Sequence, residues 1–350
     1  MTMFIGVDVG ATAISGGLVS PAGDVLAVER RPTHVRGKGT AVETLLDVIE
    51  AMRAQARARN VDVDGIGIGL PGPVDVKTGA MVYVTRSHVP EFAGVPIRDR
   101  IAEATGLPVF VDNDANALAL AECTFGAARG AASVVSLAIG TEVGAAIVID
   151  GAVVRGHSGF GGELGHIPIN FLNGARCICG GRGCAGLYLG GRVMARAARR
   201  RAARSRSKLV AMAGGDPRAI TSELVFEAAR ADDLLARTLV DEACEALGAL
   251  LAVIVNGIDP ELIVITGGVA GSLAPLRDDI LQRTSRYAQT VPLKRARIEI
   301  VSGDKTRTVR GGAALVLHEL RRQAAGVAKP VAYNAEIRRE PDYAEVRDRA

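Results

Sequence analysis

The chain has 350 residues, 48% hydrophobic and 23% charged, and a formal net charge of +4. That length exceeds one ordinary core and predicts two domains, while the composition excludes a disordered polyelectrolyte. The longest apolar run, residues 246–255, is far short of the ~18 residues that would span a bilayer.

The opening FIGVDVG reads as a strand. Asp8 lies inside its apolar stretch and no basic region precedes it, so it is a poor secretory leader and a cytoplasmic address is expected. AISGGLVS reads as a second strand, and PAGDVLAVERR as a turn and a third. Between Thr40 and Arg59, Val42, Leu45, Leu46, Ile49 and Met52 recur at helical spacing. DGIGIGLPGPVD predicts a buried strand ending in a Gly/Pro turn. LPVFVDNDANALALAE predicts a strand, three polar residues and a helix. SVVSLAIGTEVGAAIVIDGAVV repeats the opening: strand, Gly/Thr turn, strand, then a turn at Asp150-Gly151. A long helix is predicted from about Ser222 to Asn256, with a break near Asp232. PELIVITGGVA predicts a final buried strand before two glycines, and GGAALVLHEL a closing helix. Hairpins mixed with strand–helix units argue for two α/β lobes rather than one doubly wound sheet.

Several patterns carry less than they promise. GIGLPG and GRGCAG both match G-x-G-x-x-G, but neither sits between a strand and a helix, so the dinucleotide fingerprint fails. No Walker A loop is present. The basic stretch ARAARRRAARSRSK (195–208) has no recognition element or stacking aromatics beside it and reads as a solvated helix face, so a nucleic-acid partner is not expected. Residues 325–350 are charged, contain two prolines and read as an attached tail.

Three of the five cysteines, Cys177, Cys179 and Cys184, fall within eight positions, and His166 precedes Cys177 by eleven. The missing leader argues against a disulfide scaffold, and C-x-x-C is absent from the cluster. One histidine and three cysteines make a complete tetrahedral zinc set with no open position, which implies a structural metal. Such a zinc would pin the loop that carries Glu163. VDNDANA places Asp112, Asn113 and Asp114 where a strand ends and a helix starts. A carboxylate there can take a proton from a hydroxyl, although one of the three can equally serve as a helix cap. DVGATA (Asp8, Gly10, Thr12) and AIGTEVGAA (Gly140, Thr141) form tight hairpins whose N–H groups and hydroxyls suit phosphate oxygens, and Asp8 suits Mg²⁺ through water; each alone is also an ordinary β-turn.

Taken in order, DVGATAISGGLVSPAGDVL, GLPGPVD, VFVDNDANALALAE, GELGH, CICGGRGC and DPELIVITGGVA resemble the ROK family of repressors, open reading frames and sugar kinases, from about Phe4 to about Glu319. The resemblance implies an α/β, two-lobed actin-like ATPase (ribonuclease H-like) fold with a small zinc-binding loop. It divides the chain into an N-terminal lobe over 1–112, completed by a helix near 310–324, and a C-terminal lobe over 113–309 with the zinc loop at 166–184. It further implies an ATP-dependent kinase acting on glucose or a related or N-acetylated hexose, with Mg²⁺ accompanying ATP and a dimer or tetramer as the assembly. By position, Asp114 corresponds to the catalytic base. Gly72, Asn113, Glu163 and His166 correspond to the sugar side, with His166 also ligating zinc beside Cys177, Cys179 and Cys184. Asp8, Gly10, Thr12, Gly140, Thr141, Gly267 and Gly268 correspond to the ATP side.

Two positions depart from the family pattern. Its second phosphate segment reads Gly-Thr-Gly, but Glu142 stands third here; and Gly186 occupies a place usually held by a sugar-binding glutamate. These departures keep a second expectation open, a catalytically weak sugar-binding regulator. Asp8 already belongs to the first phosphate segment, so the winged helix of the family's repressors is not expected ahead of it.

Overall fold

The computed structural model describes residues 2–34, 40–84, 89–205, 207–301, 306–326 and 338–339. Two compact units emerge: 1–130 with 151–162 and 304–350, and 131–150 with 163–303.

The first unit is built on strands β1 (Thr2–Val9), β2 (Ala13–Val19), β3 (Val25–Pro32), β4 (Asp62–Leu70) and β5 (Val109–Asn113), ordered β3-β2-β1-β4-β5. The first three form an antiparallel meander; β4 and β5 then run parallel to β1. Helix α1 (Ala41–Ala58) buries Leu45, Val48, Ile49 and Met52 against one sheet face. It starts at the predicted Thr40, whose hydroxyl accepts from the Glu43 N–H while the Glu43 carboxylate accepts from the Thr40 N–H, a reciprocal cap. Helix α2 (Ile97–Thr105) carries only two buried apolar residues, Ile97 and Ile101, too few for the sequence to announce it. Helix α3 (Asp114–Phe125) follows β5 directly.

The second unit repeats this plan. Four strands of its sheet, β6 (Ser133–Ile139), β7 (Val143–Ile149), β8 (Leu262–Thr266) and β9 (Arg297–Ile300), lie in the order β7-β6-β8-β9. Again a hairpin is extended by two parallel strands. Helices α4 (Gly191–Ala202), α5 (Ser222–Arg230), α6 (Leu234–Ile258) and α7 (Arg277–Thr284) cover it, with Leu247, Leu250, Leu251 and Ile254 of α6 in the same core as Val135, Leu137, Ile263 and Ile265. The predicted break at Asp232 is real: Asp232 takes φ +61°, and Asp233 caps α6 by accepting from the Ala236 N–H at 2.9 Å. Strand β9 follows the strand expected to be last, and only Ile298 of its four residues is buried. The basic stretch lies mostly on α4, which buries Met194, Ala195, Ala198 and Ala202 and pairs Arg201 with Glu242 at 2.8 Å.

The closing helix α8 (Arg307–Ala324) belongs to the first unit. It crosses β1 and β4 so closely that a Cβ on Gly6 would fall inside the Val309 carbonyl, and one on Gly67 inside that of Gly312. Helix α3 lies equally near, since a Cβ on Gly311 would stand 3.1 Å from the Ala117 backbone. This contact moves the boundary expected at 112/113: α3 packs with α8, and the first unit continues to residue 130. Gly67→Ala is expected to cost at least the ~1–3 kcal/mol of ordinary overpacking, because what the methyl meets is backbone; urea unfolding reads the loss. The charged tail over 325–350 lies outside the described residues except for 325–326 and 338–339. Among the described residues, no helix is long and apolar enough to cross a membrane.

Candidate functional site

In the first unit, the predicted residues gather at the carboxyl ends of parallel β1, β4 and β5, the edge where open α/β sheets bind ligands. Asp8 pairs in register with Gly69, and Gly69 with Asp112. Burial raises the Asp8 carboxyl above the usual aspartate range, and a hydrogen bond with Thr308 opposes the shift. A carboxylate so stripped of water gains most from a nearby cation. In the hairpin after it, the Gly10 N–H donates to the Ala13 carbonyl at 2.9 Å, the Thr33 hydroxyl donates to the Gly10 carbonyl at 2.6 Å, and Thr12 is exposed.

The polar run that ends β5 and opens α3 divides its labour. Asn113 is the cap: its Oδ1 accepts from the N–H groups of Ala115 at 2.8 Å and Asn116 at 3.2 Å. Its Nδ2 donates to the carbonyl of Gly72 at 3.0 Å, which ties the turn after β4 to the start of α3; Gly72 holds φ +91°, a conformation glycine reaches without strain. Asp112 is buried and bonded within the protein. Asp114, the first residue of α3, is exposed; its Oδ1 accepts from the Ala115 N–H at 2.8 Å, a donor that the cap residue Asn113 also meets.

In the second unit, Gly140 and Thr141 end β6, and Gly267 and Gly268 end its parallel neighbour β8. A Cβ on Gly140 would lie 4.0 Å from the Gly268 nitrogen, so the two turns are adjacent. Gly267 takes φ +106° and leaves no room for a side chain beside the Ile139 carbonyl. Glu142, the departure in this segment, is exposed and pairs with Arg192 at 3.2 Å. Its charge is therefore partly met from within the same unit.

The cysteine loop closes as predicted. His166 Nδ1 lies 3.5 Å from Cys177 Sγ, Cys179 Sγ lies 3.7 Å from Cys184 Sγ, and all four ligand atoms fall within 4.8 Å of one another. A tetrahedral Zn²⁺ with Zn–S ~2.3 Å and Zn–N ~2.0–2.1 Å sets sulfurs about 3.8 Å apart and sulfur and nitrogen about 3.6 Å apart. The donor set fits that ion. Tight backbone turns build it: Cys177 N–H to Gly181 carbonyl at 2.8 Å, and Ala185 N–H to Ile167 carbonyl at 2.9 Å. Burial, reinforced by the neighbouring thiols, raises the Cys184 thiol above its ordinary range, a shift that a bound cation would offset. The other ring nitrogen of His166, Nε2, faces Glu163 at 3.9 Å, so a metal held on Nδ1 would leave one imidazole between ion and carboxylate. Burial raises the Glu163 carboxyl, and His166 opposes the shift. Beyond the loop, the Gly191 N–H donates to the Gly140 carbonyl at 2.8 Å and the Arg192 N–H to the Thr141 carbonyl at 3.1 Å, so the chain leaving the cysteines braces the turn between β6 and β7.

Sequence reasoning missed Thr308, which bonds Asp8, Arg192, which meets Glu142, and Arg155, which bonds Asp112. None sits in a motif; the only signal for Arg155 is its place as a lone arginine before a glycine-rich stretch.

The sequence model of the ROK family matches residues 4–319. The chain belongs to the ROK family. A glucokinase of Thermotoga maritima is 35% identical over 286 residues, which are 79% of this chain and 86% of that one. Among solved structures, a ROK family glucokinase from Streptomyces griseus in complex with glucose and AMPPNP is 28% identical, with TM-score 0.70 over 91% of this chain and 99% of that one. A ROK family transcriptional regulator, a homologue of the E. coli MLC protein, is 30% identical, with TM-score 0.78 over 91% of this chain and 78% of that one. With this ROK membership the two mixed sheets are those of the actin-like ATPase fold.

Proposed function

We propose that this ROK protein is an ATP-dependent sugar kinase that transfers the γ-phosphoryl group to the primary hydroxyl of a hexose. The observation that carries the reading is the exposed carboxylate of Asp114 at the first turn of α3, in a segment where Asn113 already supplies the cap. The similarity to glucokinases supports it. Phosphoryl transfer asks mainly for positioning, charge neutralisation and a placed base. Asp114 takes the hydroxyl proton as the sugar oxygen attacks the γ-phosphorus, the bond from that phosphorus to the β–γ bridging oxygen breaks, and ADP leaves. Asn113, Glu163 and His166 orient the sugar hydroxyls, with Gly72 shaping the turn that Asn113 holds. Gly10, Thr12, Gly140 and Thr141 meet phosphate oxygens, Gly267 and Gly268 the adenosine side, and Asp8 the Mg²⁺ that accompanies ATP. Zinc on His166, Cys177, Cys179 and Cys184 supplies rigidity rather than chemistry. An ADP-release assay over glucose, mannose, fructose, N-acetylglucosamine and N-acetylmannosamine tests the reading, and no release with any of them would overturn it.

A second reading, a sugar-binding regulator with little turnover, draws on Glu142 and Gly186. At Gly186 a side chain would start 3.2 Å from the Gly165 carbonyl, so the position is tight but not closed. A charged hydrogen bond to the sugar from that place is worth ~1.5–3 kcal/mol. Glu142→Gly combined with Gly186→Glu is therefore expected to raise glucose turnover about tenfold or more. Steady-state kinetics decides: wild-type protein already working at ordinary kinase rates, with no gain in the double variant, would show that neither departure weakens the site.

A further inference from the structure

Asp112 lies two residues before Asp114 and is 2% exposed. Its Oδ1 accepts from the Asn113 N–H at 2.8 Å and from Asn116 Nδ2 at 2.9 Å, and its Oδ2 from Arg155 Nε at 2.8 Å. Arg155, 9% exposed, also donates through Nη2 to Glu319 Oε1 at 2.7 Å. Three charges thus converge from the end of β5, from the segment 151–162 and from α8. Burial disfavours the guanidinium charge, but Asp112 and Glu319 more than compensate and hold its pKa above the ordinary arginine value.

A buried ionic triad is a poor source of stability. Desolvation costs several kcal/mol per ion, and apolar residues of similar volume often do as well or better. What such a triad can supply is a fixed geometry, and here the geometry is that of the β5–α3 junction. Asp112 holds the Asn113 N–H, Asn113 caps α3 and grips Gly72, and Asp114 is the residue that follows. From below, β4 supports the same point, since a Cβ on Gly69 would stand 3.2 Å from the Asp114 Cα.

We infer that Arg155 and Glu319 are positioning residues: through Asp112 they hold the start of α3 in the one orientation that presents Asn113 and Asp114 to the sugar. The inference rests on the sugar-kinase reading for its functional half, and the triad acts through Asp112 rather than on substrate.

The test uses the full chain. Misplacement of a reacting group by about 1 Å can cost ~10²-fold, so Arg155→Met is expected to lower kcat about ten- to a hundredfold, with KM for ATP within about twofold. Arg155→Lys keeps the charge and one contact and should recover part of that loss. Glu319→Gln keeps an acceptor for Arg155 and should remain near wild type, whereas Glu319→Ala should follow Arg155→Met; this pair serves if Arg155→Met does not fold. Hydrogen–deuterium exchange supplies a readout independent of turnover. In the Glu319→Ala or Arg155→Met variant, peptides over 109–120 should lose protection while those over β6 and β8 do not. Unchanged protection there, or equal turnover in Glu319→Gln and Glu319→Ala, would overturn the inference. If the wild type phosphorylates no sugar, the kinase reading fails by itself and the exchange comparison alone decides whether the triad holds the junction.

Discussion

Asp114→Asn is expected to lower phosphoryl transfer by about 10²–10⁴-fold, the range a general base supplies, while leaving sugar affinity within a few-fold of wild type. Asparagine preserves size and one carbonyl acceptor, so the oxygen that meets the Ala115 N–H at 2.8 Å has a replacement and α3 keeps its start. The loss should therefore appear in kcat. Calorimetric titration with the preferred sugar checks that binding survives. Full activity in this variant would place the base elsewhere, and Asp112 would be a poor substitute. Both its oxygens are committed to neighbours, and it is almost fully buried.

The second large effect concerns zinc. Purified, chelator-free protein is expected to hold about one zinc per chain, and metal analysis finding none would reject the site. Structural zinc contributes ~10–16 kcal/mol of apparent binding energy in small zinc domains, and that energy is coupled to folding. Removing the metal with a strong chelator should lower the melting temperature. It should also weaken both ligands, because the loop orients His166 beside Glu163 and its exit bonds Gly140 and Thr141. Cys179→Ser should reproduce the effect, since Cys179 is 3.7 Å from Cys184 and completes the sulfur trio. Acid should mimic the chelator: as pH falls the thiolates take up protons and release the ion, so stability drops on the acid side.

Much of this fold was legible because local chemistry and tertiary packing agree. The start of α1 at Thr40 and the interruption at Asp232 are written in capping and turn residues that act over a few positions. The cysteine spacing was equally readable, since a tetrahedral donor set leaves a signature within twenty residues. Other features have no local trace. Helix α2 buries two isoleucines among polar residues, and β9 is four residues long with one buried side chain, so neither offers a period to detect. The assignment of α3 to the first unit follows from its packing against α8, nearly two hundred positions later. The same is true of the charge triad: Arg155 and Glu319 are 164 residues apart in sequence, and no pattern in either neighbourhood names the other. The tight turns that carry the candidate site residues could be read in the sequence; the side chains that brace them from elsewhere in the chain could not.

The position of α8 has a consequence for biosynthesis. Nascent chains usually complete their domains in the order in which these leave the ribosome, N-terminal first. Here the second unit is complete by residue 303, whereas the sheet opened by Thr2 waits for the helix that lies over Gly6 and Gly67. Until residues 307–324 have been translated, the β1–β4 face beneath that helix is uncovered. A strand made before any of the second unit thus belongs to the unit finished after it, and a message truncated between codons 303 and 307 would yield a protein whose second unit can fold and whose first cannot close.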